Sequence, residues 1–148
     1  MPAACGVGVD CAAGAVATAR RNAERLGLAG RADFRIGDWA EGLVSQFDVV
    51  VTNPPYIAGA DIPSLPREVR DFDPRRALDG GADGLDAYRA IAAGLSGLLA
   101  QGGMFAGEIG YGGQAPVVAL LTAAGLIVEA VVADLAGIPR CVVARRLG

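Results

Sequence analysis

Segments with a strand-like apolar pattern alternate along this chain with segments of helical periodicity, and this alternation is what most limits its fold. The strand-like runs occupy residues 7–9, 32–36, 47–52, 104–109, 126–133 and 141–144. Helical patterns occupy residues 12–26, 85–99 and 116–124. Such alternation is typical of an α/β protein with a parallel sheet, and the last two runs predict a terminal strand pair.

The length and composition predict one domain with a well-formed core. The chain has 148 residues, of which 53% are hydrophobic. No apolar run approaches the length needed to span a bilayer, and the first residues lack a basic region followed by an apolar block. We therefore expect a single domain over residues 1–148, no membrane segment and a cytoplasmic location.

Histidine and lysine are absent, and all 13 basic residues are arginine. This composition excludes Ser-His-Asp and Cys-His catalysis, histidine metal sites, the P-loop lysine and Schiff-base chemistry. The cysteines lack the spacing of zinc ligands and are expected to be buried thiols, with no metal site: they are Cys5, Cys11 and Cys141. A net charge of -3 argues against nucleic-acid binding, although arginines cluster locally at residues 67–76.

The apolar residues 49–51 lead into the sequence Asn53, Pro54, Pro55 and Tyr56. A residue before proline takes extended geometry, and two prolines fix φ and remove two backbone donors. The carbonyl groups of Asn53 and Pro54 therefore point in set directions, while Tyr56 adds an aromatic face. This arrangement suits a planar NH2 group, whose lone pair two fixed acceptors can aim at an electrophile. The competing interpretation is an ordinary turn, which Asn-Pro commonly opens.

Residues 57–83 form a connection too long for an ordinary loop in a compact domain, and they include Pro63, Pro66 and Pro74. Loops of this length are usually functional or disordered. We expect an ordered loop over the substrate cleft.

The Asn-Pro-Pro-Tyr sequence after an apolar strand resembles the signature of S-adenosylmethionine-dependent methyltransferases that modify planar nitrogens. Other segments, in order, resemble the release factor glutamine methyltransferases. These are FRIGDW at 34–39, DPRRALDGG at 73–81, DGL at 83–85, YR at 88–89, EIG at 108–110, DLAG at 134–137 and Arg140. The similarity runs from about residue 6 to residue 146.

The resemblance implies a Rossmann-like class I S-adenosylmethionine-dependent methyltransferase fold, mostly parallel with an antiparallel terminal strand. It implies transfer of a methyl group from S-adenosyl-L-methionine to the side-chain amide nitrogen (N5) of a glutamine. The expected partner is a peptide chain release factor, methylated in its Gly-Gly-Gln loop. Family members also carry a first strand with a glycine-rich loop, preceded by a helical substrate domain. We expect both to be missing here, so that the domain is partial.

The resemblance also assigns roles to residues of the acceptor site. Asn53 and the Pro54 carbonyl would hold the amide NH2 group, next to Pro55, and Tyr56 would pack against the amide. Asn53 is expected to contact the cofactor as well. Glu108, at a predicted strand end, either faces the cleft or is a solvated strand terminus.

Three further residues are expected to bind the nucleoside of the cofactor. Asp10 would accept hydrogen bonds from both ribose hydroxyls, and its alternative role is to cap the helical segment that follows. Asp38 would accept from the adenine amino group, and Trp39 would lie against the ring. The alternative for Trp39 is a core or rim aromatic.

Two other functions remain open from the sequence. One is an adenine-N6 DNA methyltransferase, which the acidic net charge disfavours. The other is a non-catalytic fragment that binds a partner through an exposed sheet edge.

Overall fold

A computed structural model of the protein describes residues 3–148. The chain forms two compact units, Met1–Leu43 and Val44–Gly148, and the single-domain expectation stays a prediction. The strands are β1 (Gly6–Asp10), β2 (Ala32–Ile36), β3 (Phe47–Thr52), β4 (Leu99–Glu108), β5 (Leu126–Ala133) and β6 (Pro139–Arg146). The helices are α1 (Ala13–Arg25), α2 (Arg67–Arg70), α3 (Arg75–Leu78), α4 (Asp86–Leu98) and α5 (Gln114–Ala123).

In the first unit, β1 and β2 form a two-stranded parallel sheet connected through α1. Helix α1 buries Val16 and Ala23 and ends where Gly27 takes a positive φ of 68°, a conformation that glycine adopts without strain. Because the strands are parallel, their carboxyl ends lie at the same edge. There the N–H of Gly37 donates to the Asp10 carbonyl at 3.2 Å.

In the second unit, four strands form one sheet in the order β3-β4-β6-β5. Strand β3 is parallel to β4, whereas β6 runs antiparallel to both β4 and β5. The turn between β5 and β6 is stabilised by Asp134, whose Oδ1 accepts from the N–H groups of Ala136 and Ile138. The predicted antiparallel terminal strand pair is therefore confirmed.

The core of the second unit lies where α4 and α5 pack on this sheet. Its most deeply buried large side chains are Tyr88, Phe105, Leu95, Leu99, Ile109, Leu121, Val117 and Val142. Full burial of each aliphatic or Phe side chain stabilises the fold by about 1.5–3 kcal/mol before entropic costs. This packing holds the carboxyl end of β4 in place.

The connection between β3 and α4 is ordered by short helical turns. It contains a 3-10 turn at Ile62–Ser64 and the four-residue helices α2 and α3. Pro66 and Pro74 each stand directly before one of these helices, where a missing backbone N–H is tolerated. The prediction of an ordered segment is confirmed, and its place over a substrate remains a prediction.

Some expectations need correction. Strand β4 begins at Leu99 rather than at residue 104, although Gly102, with φ of 73°, lies within it. Cys5 and Cys11 are exposed, because they flank the short strand β1 rather than lying in a core, so the prediction of buried thiols is wrong for both.

Among residues 3–148, none of the helices has the length and apolar composition needed to cross a membrane. The same residues place no three His, Cys, Asp or Glu side chains where they could share a metal ion.

Candidate active site

The Asn-Pro-Pro-Tyr sequence lines a cavity at the carboxyl end of β3. The cavity has a volume of about 320 Å³ and is lined by Asn53, Pro54, Pro55, Tyr56, Ile57, Ala77 and Leu78. Pro54 is buried, whereas Asn53 is exposed. The cavity therefore combines an amide side chain and an aromatic ring with aliphatic walls.

Tyr56 is fixed in this cavity through its hydroxyl group and its ring. The hydroxyl donates a hydrogen bond to Glu108 Oε1 at 3.0 Å. The ring lies so close to Gly110 that a Cβ there would be 2.7 Å from Cδ2 of the ring. Burial, and then the hydrogen bond and negative charge of Glu108, raise the pKa of the Tyr56 phenol above its ordinary value. Tyr56 is therefore neutral at physiological pH.

The backbone next to Tyr56 is held by the loop that precedes α4. The N–H of Ile57 donates to the Leu78 carbonyl at 3.0 Å, and the Gly80 N–H donates to the Ile57 carbonyl at 2.8 Å. Gly84, with φ of 78°, approaches the chain so closely that a Cβ would be 2.5 Å from the Tyr56 carbonyl oxygen. The only side chain that fits this contact is the hydrogen of glycine.

Asp79 stabilises the same loop. Its Oδ1 accepts from the Gly81 N–H at 3.0 Å, and its Oδ2 accepts from Arg75 Nε at 3.0 Å. The Gly81 hydrogen bond and then Arg75 hold the pKa of Asp79 below its usual value. This carboxylate thus connects α3, which contributes Ala77 and Leu78 to the cavity, to the turn before α4.

Glu108 itself is anchored in the sheet. The buried Tyr88 hydroxyl donates to the Glu108 backbone carbonyl. Burial raises the pKa of Tyr88 far above its ordinary value, so this hydroxyl stays a donor.

Asp10, Asp38 and Trp39 lie at the carboxyl edge of the two-stranded sheet in the first unit. Asp10 is exposed, and its Oδ1 accepts from the Ala12 N–H at 2.7 Å, just before α1 begins. This bond orders the turn before α1, but Ala12 is the N-cap residue and no side chain of the described residues caps the helix, so the capping role considered for Asp10 is not seen. Within residues 3–148 its other carboxylate oxygen, like the Asp38 carboxylate, has no hydrogen-bond partner, which leaves both able to accept from a ligand.

Trp39 is the one non-glycine residue with positive φ among residues 3–148, at 49°. A bulky side chain in this region costs on the order of 1–3 kcal/mol and often occurs at a ligand site. The half-buried indole is consistent with either role considered for it.

The structure brings the predicted residues together in two groups, one in each unit. Asn53 to Tyr56 share one cavity, and Asp10, Asp38 and Trp39 share one sheet edge. Their ligand-binding roles remain predictions. Sequence reasoning missed the cavity wall of Ala77 and Leu78, although the segment around them was assigned to the family pattern. It also left the orientation of Glu108 open, and this side chain contacts Tyr56.

Comparison with known proteins identifies relatives of this chain. Residues 2–67 match a family described as methyltransferase small domain. The release factor glutamine methyltransferase of Rhodospirillum rubrum is 52% identical over 145 residues, covering 98% of this chain and 45% of that protein. The family resemblance is therefore confirmed. The chain spans about half the length of the curated relatives it matches.

Solved structures agree on the fold. A ribosomal protein L11 methylase from Lactobacillus delbrueckii subsp. bulgaricus matches with a TM-score of 0.67 at 12% identity, covering 96% of this chain and 57% of that one. An RNA methyltransferase from Salinibacter ruber, in complex with S-adenosyl-L-homocysteine, matches with a TM-score of 0.56 at 21% identity, covering 97% of this chain and 67% of that one. The fold is the Rossmann-like class I methyltransferase fold.

Proposed function

Because this chain is a relative of the release factor glutamine methyltransferases, we propose that it contributes the catalytic part of such an enzyme. The reaction is transfer of a methyl group to the N5 nitrogen of a glutamine in a peptide chain release factor. The observation that supports it most directly is the cavity lined by Asn53 to Tyr56 at the end of β3. A cytoplasmic location is part of the same proposal.

The cavity can accept the end of a glutamine side chain. The Asn53 side chain and the Pro54 carbonyl accept hydrogen bonds from the amide NH2 group, and Tyr56 packs against the amide plane. Ala77 and Leu78 offer an aliphatic wall for the methylene groups of the side chain. Two acceptors fixed in this way orient the nitrogen lone pair, so that catalysis rests on positioning rather than on a charged base.

The donor groups of the first unit suit S-adenosyl-L-methionine, which supplies an electrophilic methyl group when bound. Asp10 has a free carboxylate oxygen that can accept from a ribose hydroxyl, and the Asp38 carboxylate can accept from an adenine amino group. The half-buried Trp39 offers an aromatic face to the base. Asn53 is proposed to contact the cofactor too.

Two substitutions separate these roles. Asn53→Ala should reduce methyl transfer to a Gly-Gly-Gln protein by about 100-fold or more, because an acceptor of the reacting group is lost. Asp10→Ala should weaken binding of S-adenosylhomocysteine by about tenfold or more, since a charged hydrogen-bond partner is removed. Radiolabelled methyl transfer and calorimetric titration measure the two effects.

Equal loss of cofactor affinity in both variants would contradict the assigned roles. The same assay with DNA as acceptor tests the adenine-N6 alternative, which the named relatives do not favour. Methyl incorporation into DNA but not into the Gly-Gly-Gln protein would overturn the proposal.

A further inference from the structure

Glu108 can act on the cavity through a single contact. Its carboxylate accepts a hydrogen bond from the Tyr56 hydroxyl at 3.0 Å, although the two residues are 52 positions apart. Glu108 is half-buried at the end of β4 and does not line the cavity itself. The contact that connects this carboxylate to the cavity lining is its hydrogen bond with Tyr56.

The backbone that carries this carboxylate is held from three sides. The Tyr88 hydroxyl donates to the Glu108 carbonyl, and the neighbouring Ile109 N–H donates to the Arg140 carbonyl at 2.9 Å. In the sheet, Glu108 is paired with Cys141 of β6. The backbone position of Glu108 is therefore held, and a hydrogen bond to its charged acceptor is about twice as strong as a neutral one.

The contact of the ring with Gly110 is not directional in this way. Gly110 approaches the ring so closely that a Cβ added to it would lie 2.7 Å from Cδ2 of Tyr56. Van der Waals contact limits where the ring can lie but does not select the direction of its hydroxyl group. The bond to Glu108 supplies that direction.

We infer that Glu108 is a positioning residue, which fixes the orientation of Tyr56 against the acceptor group. This inference rests on the proposed function, because it assigns Tyr56 a role toward the acceptor amide. It adds a residue outside the cavity to those that determine the rate.

Three variants test the inference in the methyl-transfer assay. Glu108→Ala should lower kcat about 10- to 100-fold, since a misplacement of about 1 Å has effects of this size. KM for S-adenosylmethionine should stay unchanged, because Glu108 is not one of the proposed cofactor residues, which are Asp10, Asp38, Trp39 and Asn53. Glu108→Gln keeps an acceptor oxygen at the same place and should restore most of kcat. Equal loss in the alanine and glutamine variants would overturn the inference.

A double-mutant cycle shows whether Glu108 works through Tyr56. Tyr56→Phe keeps the ring and removes the hydroxyl, so Glu108→Ala should cost little more in that background. The matched control is Glu129→Ala, which removes a carboxylate of β5 that pairs with Arg145, away from the cavity lining. Loss of kcat in the control, or independent losses in the cycle, would count against the assignment.

A spectroscopic measurement separates this inference from the proposed function. In protein with ¹³C-labelled tyrosine, Glu108→Gln should lower the pKa of Tyr56 toward its ordinary value, because a negative charge is removed. Tyr56→Phe assigns the signal. An unchanged pKa would overturn the inference. A changed pKa in a protein that transfers no methyl group would support the contact with Glu108 and refute the proposed function instead.

Discussion

Replacing Gly110 by alanine should displace the ring of Tyr56 while leaving the rest of the fold in place. The new Cβ would be 2.7 Å from the ring, whereas carbon atoms in contact normally lie about 3.5–4.0 Å apart. The ring must therefore move by about 1 Å. A shift of this size should weaken the hydrogen bond of the hydroxyl with Glu108, which is now 3.0 Å long.

The effect on stability should be small because two terms oppose each other. A hydrogen bond to a charged group contributes about 1.5–3 kcal/mol when buried, and the half-buried position of Tyr56 reduces this to about 1 kcal/mol. Replacing glycine by alanine at a φ that alanine tolerates stabilises by about 0.4–1 kcal/mol through the unfolded chain. The free energy of unfolding should therefore change by less than about 1 kcal/mol.

The rate should change much more, because a misplacement of about 1 Å costs about 100-fold. The assay is methyl transfer to a Gly-Gly-Gln protein, with urea unfolding measured in parallel. The matched control is Gly97→Ala in α4, where an added Cβ meets no atom within 4 Å and alanine favours the helix. If Gly110→Ala retained kcat within about threefold of the unsubstituted protein, the position of the Tyr56 ring would not limit the reaction.

Two further substitutions test residues that stabilise the structure around the cavity. Asp79→Ala should lower the free energy of unfolding at neutral pH but not in acid. The pKa of Asp79 in the folded protein is lowered by the Gly81 hydrogen bond and then by Arg75. The carboxylate therefore stabilises the fold above the unfolded-state pKa of about 3.9, and this stabilisation is lost as the pH falls through the lower folded-state pKa. The melting temperatures of the two proteins should converge in acid. A difference in melting temperature that stayed the same at every pH would contradict this prediction. Tyr88→Phe should lower the free energy of unfolding by about 1–2 kcal/mol in urea titrations, because the Glu108 carbonyl loses a buried donor. A change below about 0.3 kcal/mol would show that the bond contributes little.

Strands were the part of the fold that the sequence predicted best. The bounds of β2, β3 and β5 match the apolar runs at residues 32–36, 47–52 and 126–133, because each run is closed by polar or glycine residues. The start of β4 was missed since Gln101, Gly102 and Gly103 interrupt the apolar pattern, and Gly102, with φ of 73°, departs from extended backbone inside the strand. Helices α2 and α3 were not predicted, because four residues are too few for a periodicity to show.

In the candidate site too, the features that the sequence predicted depend on neighbouring residues, and those that it missed depend on residues far apart in the chain. Asn53 to Tyr56 could be recognised because proline geometry acts within a few residues. The bond from Tyr56 to Glu108 depends on the parallel register of β3 and β4, which pairs Thr52 with Gly107 and brings the two strand ends together. Sequence patterns do not encode that register. From the sequence, Glu108 could therefore be either a residue facing the cleft or a solvated strand terminus.

The neutral state of Tyr56 bears on how a chain without histidine or lysine could transfer a methyl group. Burial and the neighbouring Glu108 raise the pKa of its phenol, so Tyr56 cannot take a proton from an amide near neutral pH. The Asn53 side chain and the Pro54 carbonyl do not titrate at all. What the cavity can contribute is orientation, which depends on distances. Substitutions that move Tyr56 by about 1 Å should therefore affect the rate far more than they affect stability.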